Sequence, residues 1–180
     1  MTSKPLPEAE VQAAIAFISA AESFCALLES HPKYRAGAFI RAVQGALVLL
    51  YAAALRLRMV EPSTADDTPE TLTTDQESEL TQALSVTMSP YHLHWFVFDP
   101  VGQEPDEPVA GHLPSDLSEI YRDVRNGCNA WVPSDPATYR DALWQMHFDF
   151  MSHWGRHAVT ALAAMHSLLH DTHIEALEDA

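Results

Sequence analysis

Basic residues are scarce in this chain: Lys and Arg together number 10 against 25 Asp and Glu, a formal net charge of −15. None lies between Arg58 and Arg122, a stretch that holds 13 of the acids. A surface that tracks phosphates needs clustered Lys and Arg to release counterions, so nucleic acid is not an expected partner. The acidity is compatible with a basic protein partner, but acidity is more often a solubility device. Cysteine is rarer still. Cys25 and Cys128 stand far apart, outside any CxxC context, in apolar helical surroundings where a free thiol behaves as a small hydrophobe. That usage fits a reducing cytoplasm. No secretory signal is expected, since Lys4 is followed by prolines and acids instead of an apolar run. The most hydrophobic stretch, Ala42 to Leu55, falls short of the ~20 residues that span a bilayer and is flanked by Arg41 and Arg56. We expect a buried helix there and no membrane anchor.

What the chain does have is apolar mass and helical spacing. Apolar residues make up 47% of its 180 positions, enough for one core, and residues 1–180 are expected to form one domain. The 12 prolines against 6 glycines fall between periodic segments and read as punctuation between helices. A first helix is expected from about Glu8 to Leu28, with Val11, Ile15, Ile18, Cys25 and Leu28 on one face. Pro32 suits the start of a second, which carries Phe39, Val43, Leu47, Leu50, Ala54 and Leu57. Residues from Val60 to Thr73 read as an exposed acidic connection. Thr74 with Glu77 forms a capping box for a short third helix stopping near Ser89-Pro90. Tyr91 to Leu113 is an aromatic, acidic, proline-bearing insertion, extended or irregular. Ser115 is expected to cap a fourth helix, with Asn126-Gly127 as its end or a kink. Asp135-Pro136 opens a last long helix to about His170, with Gly155 in its middle. Strand alternation is nearly absent. The expected fold is all-α: a bundle of four to five helices, mostly antiparallel, interrupted by the aromatic insertion.

Six of the ten histidines follow residue 146. At about 100° per residue, His157 lies in the apolar stripe of the last helix, His153 at its edge and Asp149 further round. His166 and His170 point away to solvent, and His173 belongs to the tail. His153 and His157 form an i, i+4 pair able to turn two imidazoles on one ion. They also fit two core histidines hydrogen-bonded to a neighbouring helix. Asp116, Glu119 and Asp123 form a carboxylate row well over 90° from the stripe of Leu117, Tyr121, Val124 and Cys128. That spacing fits a solvated face. It also fits acids meeting His153, Asp149 or Arg156 across a helix pair. A ferritin-like di-metal bundle needs two Glu-x-x-His pairs, and neither occurs. A zincin needs His-Glu-x-x-His, whereas the chain reads HWGRH. The His-x-x-x-His spacing is that of DinB-like metal bundles, which use a further histidine from an earlier helix. Only His31, at a helix start, offers itself there. No nucleophile elbow, P-loop or dinucleotide fingerprint is present.

Four segments carry a resemblance: YAAAL (Tyr51 to Leu55), FDP (Phe98 to Pro100), DLSEIYRDVRNG (Asp116 to Gly127) and HWGRHAVTALAAMH (His153 to His166). Together they resemble an uncharacterised bacterial family, domain of unknown function 5063, from the first helix nearly to the end of the chain. The resemblance implies a small cytoplasmic helical protein and no assigned activity. Where the pattern leads us to expect a second acid beside Asp116, this chain has Ser115.

Two functional expectations follow. The first is a non-enzymatic interaction or adaptor module, acting on a protein partner or as a homodimer and needing no cofactor. The acidity, the aromatic insertion and the failure of the catalytic templates favour it. The second is a metal-binding bundle holding a divalent transition metal on His153 and His157, with Asp149 or Glu119 completing the set, of hydrolytic or redox type. A purely structural polar network of His153, Trp154, Arg156 and His157 with Asp116, Glu119 and Tyr121 would also satisfy the spacing.

Overall fold

Helix α1 (Glu8–Glu29) buries Ala14, Phe17, Ala21, Phe24, Cys25 and Leu28. The expected stripe is rotated: Ile15 is exposed, and Phe17 and Phe24 face the core. Two aromatic rings offer more apolar area than the isoleucines they displace, and Ala14 and Ala21 let a neighbour approach between them. The structure, a computed structural model, is described over residues 6–63, 71–104, 106–132 and 134–170. Residues 64–70 of the acidic connection and His173 lie outside the described residues.

Pro32 sits in a separate 3₁₀ turn (His31–Lys33), and α2 (Ala36–Ala54) begins after it. Phe39, Val43, Leu47, Leu50 and Ala54 are buried as their spacing implies, as is Leu57 just beyond the helix. By length and composition alone α1 and α2 are apolar enough to cross a membrane. Here they pack on each other, and α2 also lies along the last helix; core helices of globular bundles share that composition.

Helix α3 (Thr74–Thr87) has its capping box one residue earlier than expected. Thr73 holds extended backbone angles, its hydroxyl accepts from the Gln76 amide, and the Gln76 side chain accepts from the Thr73 amide. The insertion after it is ordered as an antiparallel ribbon, β1 (Leu93–Phe96) with β2 (Val109–His112), pairing Leu93 with His112 and His94 with Gly111. Four-residue strands are too short to show alternation, so the fold is mainly helical with one small ribbon.

Chain leaving β2 enters α4 (Leu113–Ala130) directly. Its N-cap is His112, not Ser115, whose hydroxyl instead meets His112 Nδ1 at 2.8 Å. Asn126-Gly127 does not interrupt α4. Asn126 accepts from the amides of Thr71 and Leu72, and a Cβ on Gly127 would lie 2.7 Å from Met146. The glycine is there for close helix approach, not for a break. α4 is central: it packs on α1, on α3 and on both halves of the last rod.

That rod is continuous from α5 (Pro136–Asp149) through a π turn (Phe150–Trp154) to α6 (Gly155–His170). Met146, Phe150, Trp154 and Ala158 are all buried at a strict spacing of four. Such a row drifts by about 40° per step in a regular α-helix. One wide π turn absorbs the drift and keeps the row on the core. The rod runs antiparallel to α4, because Asp123 meets His153 while Asp116 meets His157.

Candidate metal centre

Helix α4 presents Asp116, Glu119 and Asp123 in one row, and this row faces the rod instead of solvent. A central helix packed on four neighbours has more than one covered stripe, which a two-sided wheel does not anticipate. Asp116 is only 8% exposed.

Against the row stand the two imidazoles. His157 Nδ1 meets Asp116 Oδ1 at 2.8 Å, and its Nε2 lies 3.1 Å from Glu119 Oε2. His153 Nδ1 meets Asp123 Oδ2 at 2.6 Å, and its Nε2 lies 3.3 Å from the same Glu119 oxygen. The two rings stand edge to face, 4.9 Å apart. Both Nε2 atoms therefore converge on one carboxylate oxygen while both Nδ1 atoms are anchored by separate aspartates. These three inner residues bring ligand atoms within 4.8 Å of one another, all on partly buried side chains.

A neutral imidazole has one N–H and one acceptor nitrogen, so it cannot donate to carboxylates on both sides. A cation in place of a proton would let each Nε2 face Glu119 while its Nδ1 stays bonded to an aspartate. Donor atoms around a tetrahedral zinc at 2.0–2.2 Å stand about 3.3 Å from one another. The observed 3.1 and 3.3 Å fit that separation. Carboxylates on the far nitrogens are the usual device for orienting metal-bound histidines and raising their basicity.

The anchors are themselves held. Asp123 accepts from Arg122 Nε at 3.2 Å, and Arg122 reaches Glu77 of α3 at 2.8 Å. Asp116 also accepts from His94 Nε2 of β1, at 2.7 Å. Neither His94 nor the ribbon was singled out from the sequence. The available signal was the opposed Gly111, above which a Cβ would lie 2.5 Å from the His94 ring. The smallest residue across the ribbon makes room for the ring.

Three residues expected in the cluster sit apart from it. Tyr121 points to α1 and donates to Glu29 at 2.8 Å, where Arg125 also pairs. Among the described residues Arg156 meets no acid, and it lies over the Phe98 ring at 4.8 Å. Asp149 accepts from Gln145 at 2.7 Å and lies one turn before His153, without bonding it. His166 and His170 are exposed. His31 pairs with Thr87 far from the cluster. Burial lifts the thiols of Cys25 and Cys128 to about 12 and about 11, leaving no thiolate for chemistry.

Burial, reinforced by the neighbouring Asp123 charge, raises the Asp149 carboxyl from 3.8 to about 6. A carboxyl raised on folding gives stability that is complete below its unfolded pKa and is lost as pH rises through the folded one. Asp149→Asn is therefore expected to stabilise the protein by about 1–2 kcal/mol at pH 8, after discounting for solvent contact, and not at all near pH 3.5. Denaturant melts at both pH values check this.

The hydrogen bond to Asp116, with Glu119 beyond it, raises the His157 pKa above 6.5 despite the opposing effect of burial. Burial pushes Asp116 up, but hydrogen bonds from His157 and His94 outweigh it and hold the acid below 3.8. Stability from His157 is complete below 6.5 and is lost as pH rises through its raised value. That from Asp116 is present above 3.8 and is lost as pH falls through its lowered value. In an Asp149→Asn background, metal-free protein is expected to lose stability as pH rises above 6.5 through the raised His157 value. An ion bound at Nε2 would displace the proton, so divalent-metal affinity is expected to rise over the same range. Thermal melts and metal titrations at matched pH measure the two slopes, and parallel slopes would contradict the assignment.

Phe96, Phe98, Asp116, Met151, Ser152, His153, Arg156, His157 and Thr160 line a cavity of roughly 310 Å³ beside the cluster. The imidazole edges thus open on a space a small molecule can enter.

A family model described as "Domain of unknown function (DUF5063)" matches residues 8–171. The crystal structure of protein BF1032 from Bacteroides fragilis is similar at a TM-score of 0.77 and 21% identity, over 89% of this chain and 94% of that one. At that identity the likeness concerns the fold alone. No curated protein matches the sequence.

Proposed function

The chain belongs to this family of domains of unknown function, which assigns no chemistry, and we propose from the site itself that it is a metal-binding helical bundle. A divalent transition ion is held by Nε2 of His153, Nε2 of His157 and a Glu119 oxygen. Asp123 and Asp116 orient the two rings from behind. The observation that carries this reading is the convergence of both Nε2 atoms on one carboxylate oxygen, with both Nδ1 atoms already committed to other acids. Two histidines and a carboxylate form the ligand set of open catalytic sites, for zinc in hydrolysis and for ferrous iron in oxygen chemistry. Beside the ligands lies a cavity, as such open positions require. Elemental analysis of untagged protein purified without chelator tests the reading. About one transition metal per chain is expected, and a metal-free protein that takes up none on titration counts against it.

Interaction through the ribbon is a second reading, favoured by one observation. Trp95 of β1 is 74% exposed, beside an exposed Leu93. Sedimentation velocity of the wild type against Trp95→Asp addresses it. Self-association lost in the variant supports the ribbon as the contact, and a strict monomer in both removes the homodimer form.

A further inference from the structure

Arg156 is an exposed cation at the mouth of the cavity in an acidic chain. It follows the π turn, one residue before His157, and its guanidinium lies 4.8 Å over the Phe98 ring at the cavity wall. Among the described residues it has no ion pair, although acids outnumber bases by 25 to 10. The ring contact leaves the N–H fork without a partner among the described residues, free for a planar oxyanion. Phe96 and Phe98, with ring centroids 6.3 Å apart, and Met151 supply an apolar wall beside that fork. Asp116 and the two histidines line the same cavity.

We infer that the cavity binds a small monocarboxylic acid with a flat apolar body, its carboxylate on Arg156 and its body against Phe96, Phe98 and Met151. One guanidinium matches one carboxylate in charge and shape. A phosphate dianion would carry excess negative charge into a space already lined by Asp116. The volume of roughly 310 Å³ corresponds to about ten water volumes, the size of a compact acid. As a statement of what the site acts on, the inference rests on the metal reading. As a statement of binding it rests on Arg156.

The test is calorimetric titration of benzoate, benzamide and phenyl phosphate into wild type, Arg156→Met and Arg156→Lys. Each protein is used metal-loaded and metal-free, with its metal content and melting temperature measured on the same sample. Benzoate is expected to bind the wild type one to one, and at least tenfold more tightly than benzamide or phenyl phosphate. Arg156→Met is expected to lose at least tenfold with its metal content and melting unchanged, and Arg156→Lys to recover only part. Benzoate affinity equal in wild type and Arg156→Met overturns the inference, as does no binding to the wild type or a preference for phenyl phosphate. Stoichiometric metal without Arg156-dependent binding removes this inference alone. Arg156-dependent binding in a protein that takes up no metal removes the metal reading alone.

Discussion

His153→Ala/His157→Ala is expected to lose divalent-metal binding entirely, and Asp123→Asn to weaken it 10- to 100-fold while leaving all three ligand atoms in place. The double variant removes two of three donors, and a lone partly exposed Glu119 has no power to retain a transition ion. Asp123→Asn is the sharper case. Its oxygen sits 2.6 Å from His153 Nδ1 and touches no ligand atom. Exchanging carboxylate for amide removes the charge that makes the ring a better donor, and outer-shell changes of this kind have effects of that size. Equilibrium competition against a chromogenic chelator measures both, with circular dichroism confirming that each variant is folded. Wild-type affinity in Asp123→Asn would mean that the aspartate is only an ion-pair partner.

Gly155→Ala is expected to destabilise the protein by about 2–4 kcal/mol, on the scale of other overpacking and backbone-strain changes. A Cβ at this position would lie 2.4 Å from the Phe150 carbonyl oxygen and 3.2 Å from its ring. That carbonyl accepts the Gly155 amide across the π turn, so it cannot move without opening the turn. If the turn reverts to α geometry, residues before it rotate by about 100° relative to those after. The rod then cannot keep both Met146 and Ala158 on the core, nor hold His153 in step with His157. Metal affinity should fall together with melting temperature. An alanine variant that melts like the wild type would show that the glycine is not required by the turn.

The helices were legible because their signals are local. The spacing of Phe39, Val43, Leu47, Leu50 and Ala54 needs no neighbour to be read, and all are buried. The long final rod and the i, i+4 histidine pair were legible for the same reason. The carboxylate row was seen, but its spacing left open whether it faces solvent or a neighbouring helix. Whether Asp116, Glu119 and Asp123 face solvent depends on α4 being central, a property of the assembly and not of the helix. The ribbon was hidden because two four-residue strands separated by twelve residues leave no period to detect. With it went His94, whose pairing with Asp116 spans that loop. Arg156 and Tyr121 lie in the right segments but turn to Phe98 and Glu29, a choice set by the phase of the rod and by α1. The π turn itself shows in the sequence only as Met146, Phe150, Trp154 and Ala158, a row of fours that is easily taken for ordinary helical periodicity.

Extended X-ray absorption of the protein loaded with one equivalent of zinc or cobalt tests the central claim most directly. The account predicts two imidazole nitrogens at about 2.0–2.1 Å and a carboxylate oxygen at about 2.0–2.2 Å, with the remaining position filled by water. The imidazole scattering should disappear in His153→Ala/His157→Ala. A shell made only of oxygen, or an imidazole signal that survives the double variant, would contradict it. Either result would leave the alternating acids and histidines as an ion-pair ladder that binds α4 to the rod.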